Sequence, residues 1–463
     1  MFFKILFDIL IYVIINKWRY IVKSVITNDK LEKKDILKTF YNAYKTKAEY
    51  KIGIEYERLP IKNNNYSSVD FFENKGICNF LRRFAEEYQW DYILDGSSLI
   101  GLKNGHDTIT LEPGCQLEFS LEPERLISSL KSKIDKYNFL MSELLDEYEF
   151  SLIEYGISPL TTYKNINLLP KKRYEIMAGY LWGILSDVMM RETAGIQICI
   201  DYCSEEDAMK KFRIANMMCP FVTAMFANSP IRGGVDTGYK SFRALAWLNT
   251  DSDRCGFSTK FQKDFGFDDY INTVLNVPMI FFQRGDEFIK INSRLKFKDY
   301  LNDGYEGYNP TMDDFNLHSN LYFPDVRLRN FIEIRNHDCV NKNMLYSLIA
   351  FYKGIFYSND ALTYVDELLS RFTYNEILEL RYQIPQCGLD GLIQNIPLKD
   401  IAIELMSIAH SSLLKQNQVE EKYLEPIQEF LFDGVTPADV ILLNWNGIWN
   451  KNISKLVRYL KSV

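Results

Sequence analysis

The chain has 463 residues, long enough for two or three lobes or one large domain with additions. Its 47% hydrophobic and 25% charged residues are ordinarily globular, and the 14% aromatic content favours a substantial β component. A net charge of -7 with no long Lys/Arg block argues against nucleic acid as a partner, and no internal repeat is visible.

Residues 2–16 are strongly apolar but carry Lys4 and Asp8, and the run is shorter than the ~20 residues of a membrane span. No small-residue cleavage site follows, so the segment does not read as a signal peptide. Trp18, Arg19, Tyr20 and Lys23 would suit an interfacial anchor. Two readings of residues 1–30 stay open: a packing helix or start-site artefact, and a membrane-surface helix making weak contact through residues 2–23.

Leu31, Ile36, Leu37, Phe40, Tyr41 and Tyr44 recur at helical spacing and predict a helix over 31–48. A strand follows at once, with Ile52, Ile54 and Tyr56 on one face and Gly53, Glu55 and Glu57 on the other. Residues 62–68 read as a polar loop, 74–90 as a helix, and 92–94 and 99–102 as short strands. Residues 111–119 read as a strand with Glu112, Gln116 and Glu118 opposite Leu111, Leu117 and Phe119. Helices are expected from Glu122 to about Tyr155 and over 171–189, and a strand from Gly195 to Tyr202. That strand has Gln197, Cys199 and Asp201 on one face. Ser204 reads as an N-cap, with Glu205, Glu206 and Asp207 favoured in the first helical turn by the helix dipole. Residues 331–335 form a last strand that sets Glu333 beside Arg335, and after residue 340 the chain looks almost wholly helical. Long helices between strands, without regular βαβ alternation, predict an α+β fold with a mainly antiparallel sheet.

Five glutamates, Glu55, Glu57, Glu112, Glu118 and Glu333, thus lie on polar strand faces with few basic neighbours. If the strands are adjacent, the carboxylates repel and shift one another's pKa unless cations intervene, and hard divalent cations take oxygen ligands. A sheet with one solvated face would also alternate in this way. The eight cysteines, Cys78, Cys115, Cys199, Cys203, Cys219, Cys255, Cys339 and Cys387, form no Cys-x-x-Cys pair and read as reduced thiols of a cytoplasmic protein. The four histidines are too dispersed for a triad.

In order, these segments resemble the plant and proteobacterial type of glutamate–cysteine ligase, whose catalytic sheet is similar to that of glutamine synthetase. The resemblance spans roughly residues 32–340 and is carried by short blocks of residues. They begin with Gly-x-Glu-x-Glu at 53–57, Leu-Glu-Pro-Gly-x-Gln-x-Glu at 111–118 and Pro-Lys-x-Arg-Tyr-x-x-Met at 170–177. Next come Gln-x-x-x-Asp-Tyr-x-Ser-Glu from 197 and Ala-Asn-Ser-Pro at 227–230. Gly238-Tyr239, Ser241, Arg243 and Trp247 follow, then Thr250-Asp251-x-Asp253-Arg254-x-Gly256, Phe265-Gly266-Phe267 and Val277-Pro278-Met279. His318, Phe323-Pro324-Asp325-Val326-Arg327-Leu328 and Glu333-x-Arg335 complete the series. One block alone would be weak; the ordered series is specific.

The resemblance implies a glutamine synthetase-like catalytic domain over 31–340, flanked by helices, and a helical C-terminal region over 341–463. It implies formation of γ-glutamylcysteine from glutamate, cysteine and ATP through a γ-glutamyl phosphate, the first step of glutathione biosynthesis. Phosphoryl transfer needs positioning and charge neutralisation more than covalent help. Glu55, Glu57, Glu112, Glu118 and Glu333 match the family's ligands for two or three Mg2+ ions, and Glu55 and Arg335 are the catalytic candidates. Arg335 would face the transferred phosphate, with Gln197 and Arg254 near the nucleotide. Arg243, Tyr239, Tyr174 and Asn228 are candidates for the substrate pocket. For Arg243 and Arg254 a structural ion pair is the competing reading, and for the two tyrosines a place in the core.

Cys115, Cys199 and Asn336-His337 stand where the family commonly has Gly, Asn and Gly-Ala. These departures put the acceptor amine in question. A related ligase that uses another amine, and a non-catalytic relative that binds nucleotide or amino acid, are therefore carried as alternatives. The residues after 340 are too few for an ATP-grasp lobe, so glutathione synthesis would need a second enzyme.

Overall fold

The architecture is read from a computed structural model that describes residues 31–257 and 264–461, so the apolar stretch at 2–16 lies outside the described residues. Nine strands form one sheet: β1 Ile52–Lys62, β2 Asp91–Asp95, β3 Ser98–Asn104, β4 Asp107–Leu111, β5 Leu117–Glu124, β6 Phe150–Ile153, β7 Gly195–Ile200, β8 Val326–Leu328 and β9 Ile332–Asp338. The order is β8-β9-β7-β1-β5-β4-β3-β2, with β6 on the second half of β1, and every pairing is antiparallel. The predicted α+β class and antiparallel sheet are what the chain adopts.

β1 is central because its apolar face is complete. Ile52, Ile54 and Tyr56 are buried beside Ile196, Ile198 and Ile200 of β7 and Ile332 and Ile334 of β9. Burying an Ile or Tyr side chain of this kind contributes on the order of 2 kcal/mol. That face fixes the register, since a slip by one residue would carry the glutamates into the core.

The helices that matter here are α1 Lys33–Tyr41, α2 Ile77–Tyr88, α3 Ile127–Glu147, α4 Lys172–Tyr180, α5 Ser186–Glu192, α6 Glu205–Met225, α7 Phe242–Leu248, α8 Lys342–Phe356 and α9 Tyr374–Cys387. Ser204 caps α6 as expected, its hydroxyl accepting from the Asp207 N–H at 3.1 Å. Helices dominate after residue 340, with one short hairpin at 392–397.

Three predicted elements change. Residues 111–119 are no single strand: β4 stops at Leu111, and Glu112 to Cys115 make a turn in which the Cys115 N–H donates to Glu112 O at 2.8 Å. Pro113-Gly114 is a turn signal, and Pro cannot donate within a central strand. The long helix predicted from Glu122 starts only at Ile127 and ends at Glu147, because β5 runs to Glu124 between β1 and β4 and the chain returns as β6. The helix predicted over 171–189 breaks into α4 and α5. Between them Gly183 docks on the 249–250 backbone, where a Cβ would sit 2.1 Å from Thr250 O.

Cys115 occupies the turn with φ of 68° and is buried. A left-handed backbone costs a side-chain-bearing residue about 1–2 kcal/mol, which glycine escapes. Cys115→Gly should therefore leave stability within about 1 kcal/mol, the relief of strain offsetting the lost packing. Cys115→Val should cost about 1–3 kcal/mol, because a β-branched residue at positive φ is worse still. Urea unfolding of the two variants reads the difference.

β9 carries a bulge. Ile334 faces Ile198 and His337 faces Ile196, so Arg335 and Asn336 together oppose the single residue Gln197. A bulge inverts the alternation beyond it. His337 consequently leaves the Glu333 face: its Nδ1 pairs with Ile196 O at 3.0 Å and its Nε2 with the Tyr352 hydroxyl of α8 at 2.7 Å. Those partners suit a neutral ring that donates from Nδ1 and accepts at Nε2. Burial first, and Arg243 as a lesser cause, depress its pKa from 6.5 to about 3. Buried His318, bonded to Val274 O, is depressed to about 4. With the folded pKa below the unfolded one, both rings contribute stability above pH 6.5 that is lost as pH falls through the folded values. Their ring resonances in NMR spectra should stay fixed from about pH 8 to pH 5.

Candidate active site

The polar face of β1 meets those of its neighbours in register. Glu57 lies opposite Glu118 of β5; Glu55 lies between Ser120 of β5 and Gln197 of β7; Cys199 lies between Gly53 and Glu333 of β9. Like charges directly opposite across strands destabilise a sheet. Three of the carboxylates answer this with partners of their own. Glu57 accepts from the Gly195 N–H at 2.6 Å and from Gln197 Nε2 at 2.8 Å. Glu118 accepts from the hydroxyls of Thr110 at 2.9 Å and Ser120 at 2.8 Å. Glu333 is fully buried and clamped by Arg327, at 2.6 and 3.1 Å, and by Arg335 at 3.0 Å.

The electrostatics divide these acids. Burial first, and then Glu333, push the Glu55 carboxyl up to about 7. Burial and Glu112 do the same for Glu57, also to about 7. Burial, Glu55 and Glu112 raise Glu118 well above the usual carboxylate range. Burial would raise Glu333 too, yet Arg327 and then Arg335 drag it down to about 2. Three of the acids therefore lie in a field short of positive charge, while the fourth has two guanidinium groups.

Four of the five acids expected to hold ions share this sheet face, and Glu112 lines the cleft beside Glu57 from the 112–115 turn. Among the described residues no group of three or more His, Cys, Asp or Glu side chains is spaced to hold a metal ion. Glu333 turns to its arginines and Glu57 to Gly195 and Gln197, and Glu112 comes from a turn instead of a strand face. The donor set nevertheless fits a hard divalent cation: it consists of oxygens, three acids lack compensating charge, and buried Gln197 Oε1 has no partner.

A cleft opens at the Glu57 end, lined by Glu112, Tyr174, Arg173, Arg243, Trp247, Phe323 and Arg335. The Arg243 guanidinium covers Gly195, where a Cβ would sit 2.3 Å from it, and donates to Arg335 O at 3.1 Å. The buried Nε atoms of Arg173 and Arg243 have no partner. Burial pulls at the Arg335 charge, yet Glu333, then Glu55, Glu57 and Glu112 raise its pKa on balance. Carboxylates in need of cations and guanidiniums in need of anions thus share one cleft, an arrangement suited to a phosphorylated, carboxylate-bearing ligand.

Arg335, Arg243, Tyr174, Glu57 and Glu112 line one cleft, and Gln197 joins them through Glu57. Arg254 does not join. It is buried, its Nε donates to Asp251 at 2.7 Å, and its two amino groups donate to Leu321 O and Pro278 O. Asn228 is a strut, with its amide nitrogen on Glu154 O and Cys339 O. Tyr239 packs on Phe242 away from the cleft lining. Conversely, Arg327, Arg173 and Trp247 enter the site without having been singled out for a role. For Arg327 a signal existed: Val326 and Leu328 flank it, so alternation puts it on the polar face, in register with Glu333.

The model of glutamate-cysteine ligase family 2 (GCS2) matches residues 51–459. The chain is 30% identical over 444 residues to the chloroplastic glutamate–cysteine ligase of Arabidopsis thaliana, covering 95% of this chain and 84% of that protein. It is 31% identical over 443 residues to the corresponding protein of Nicotiana tabacum, covering 94% and 84%. In fold it is similar to the glutamate–cysteine ligase of Francisella tularensis solved in complex with AMP. The TM-score is 0.55 at 13% identity, over 89% of this chain and 88% of that one.

Proposed function

Because this chain belongs to glutamate–cysteine ligase family 2, we propose that it is an ATP-dependent ligase that joins the γ-carboxylate of glutamate to the amine of cysteine. The observation that carries the reading is the cleft in which half-buried Glu57 and Glu112 face Arg173, Arg243 and Arg335. A carboxylate is a poor electrophile. Its γ-oxygen takes the terminal phosphoryl group of ATP, ADP leaves, and the amine nitrogen then attacks the acyl carbon and expels phosphate.

In this reading Arg335 lies along the transferred phosphoryl group, with the charge and planar fork that phosphate oxygens favour. Arg243 and Arg173 take substrate carboxylate through their unused Nε–H groups. Tyr174, whose ring lies 5.2 Å beneath the Arg173 guanidinium, holds that arginine in place. Glu55, Glu57, Glu112, Glu118 and Glu333 would hold Mg2+, which when bound neutralises phosphate charge and lets the acids ionise. Glu55, set between Ser120 and Gln197 on the central strand, would act as one of these ligands by holding charge at the transferred phosphoryl group. Among the described residues no helix is long and apolar enough to cross a bilayer. We extend the proposal to a cytoplasmic setting on the eight unpaired cysteines.

ADP release from ATP and glutamate, measured with a panel of amines, tests the proposal. Cysteine should stimulate most, and EDTA should abolish the signal. Stimulation by another amine in place of cysteine would favour the related ligase, to which Cys199 and Asn336 point. No stimulation by any amine would leave the non-catalytic relative.

A further inference from the structure

Arg335, the guanidinium that the ligase reading sets along the transferred phosphoryl group, sits at the break in its strand. The β9 bulge places Arg335 and Asn336 together opposite Gln197, which leaves one residue of the ladder unpaired. In an unbroken strand Asn336 would face the core beside Ile334, and His337 would return to the Glu333 face. The observed register is selected by bonds at the bulge and directly after it.

The Arg335 N–H donates to Asp325 O at 2.9 Å, and its carbonyl accepts from an amino group of Arg243 of α7 at 3.1 Å. Asp325 is itself held by Arg381 of α9, one of whose amino groups donates to it at 2.8 Å. The Asn336 amide nitrogen reaches α6, donating to Cys219 O at 2.9 Å and to the Thr223 hydroxyl at 2.7 Å. The His337 ring bridges Ile196 O of β7 and the Tyr352 hydroxyl of α8, and it meets the Tyr352 ring edge to face at 5.3 Å. Both rings are fully buried, where an imidazole is tolerated only with its nitrogens met. Three helices, α7, α6 and α8, thus hold the consecutive residues 335, 336 and 337. Neither Asn336 nor His337 lines the cleft.

We propose that Asn336 and His337 are positioning residues: by locking the bulge they aim the Arg335 guanidinium into the cleft, and so set the rate of phosphoryl transfer without touching substrate. The inference rests on the ligase reading and adds to it two residues that act only through Arg335. A shift of about 1 Å in a positioning group is enough to cost about a hundredfold in rate. Asn336→Ala and His337→Leu, each alone and referred to the folded fraction from thermal melts, should lower kcat about tenfold with KM for glutamate within twofold. His337→Asn, whose amide N–H stands in for Nδ1–H toward Ile196 O, should keep kcat within about threefold of the parent. In an Arg335→Gln background Asn336→Ala and His337→Leu should lower kcat less than about twofold further, because the group they aim is gone. Equal losses in the two backgrounds, no loss in the parent background, or glutamate KM rising in step would overturn the proposal. If the parent chain releases no ADP with any amine, the ligase reading fails by itself. The positioning role then stands only if calorimetry shows Asn336→Ala weakening ATP binding at least about fivefold in the parent background and not in the Arg335→Gln background, and it falls otherwise.

Discussion

Glu57→Gln is expected to lower turnover about a thousandfold, equivalent to roughly 4 kcal/mol of lost transition-state stabilisation, with no loss of stability. The substitution keeps the volume and removes one negative charge. Glu57 accepts hydrogen bonds from Gly195 N–H and Gln197 Nε2. A glutamine there retains an oxygen for Gly195, while its new N–H₂ needs an acceptor. Gln197 supplies one, because its Oε1 is buried and unpartnered and its amide can turn over. The change also relieves repulsion from Glu118 directly opposite and from Glu112, the neighbour that raises the Glu57 pKa. Thermal unfolding in EDTA should thus show a midpoint equal to or above that of the parent chain. Turnover within tenfold of the parent at saturating Mg2+ would remove Glu57 from the catalytic machinery.

The same cleft shows what alternation along a strand can and cannot reveal. Glu55 and Glu57 share a face with Gln197 because β1 and β7 alternate without interruption between Ile54 and Tyr56, and here the period of two is sufficient. Glu112 was legible as a site acid but not as a turn residue, since Leu111 and Leu117 on either side imitate one continuous strand. The β9 bulge was invisible for a related reason. Ile332, Ile334 and His337 all face the core, yet only a register against β7 shows the extra residue between them. Arg254 sits in an acidic, motif-like block, and only tertiary contacts show that its three nitrogens are consumed by Asp251, Leu321 and Pro278.

Arg335→Gln is expected to lower kcat about a hundredfold and, in contrast to Glu57→Gln, to lower the Mg2+ concentration needed for half-maximal activity. The two expectations have one origin. Arg335 stands among Glu333, Glu55, Glu57 and Glu112, which together hold its pKa up. Its removal leaves the cleft more negative, so a divalent cation is attracted more strongly, whereas removing the Glu57 charge weakens that attraction. The fold should survive, because Arg327 holds both oxygens of Glu333 through Nε and an amino group and does not depend on Arg335. A residue that only braced Glu333 would show the opposite pattern: a lowered unfolding midpoint, unchanged kcat in the folded fraction, and no shift in Mg2+ dependence. Titrating activity against Mg2+ for both variants, with calorimetry alongside, separates a phosphate-facing cation from a strut, because the sign of the Mg2+ shift follows from charge alone.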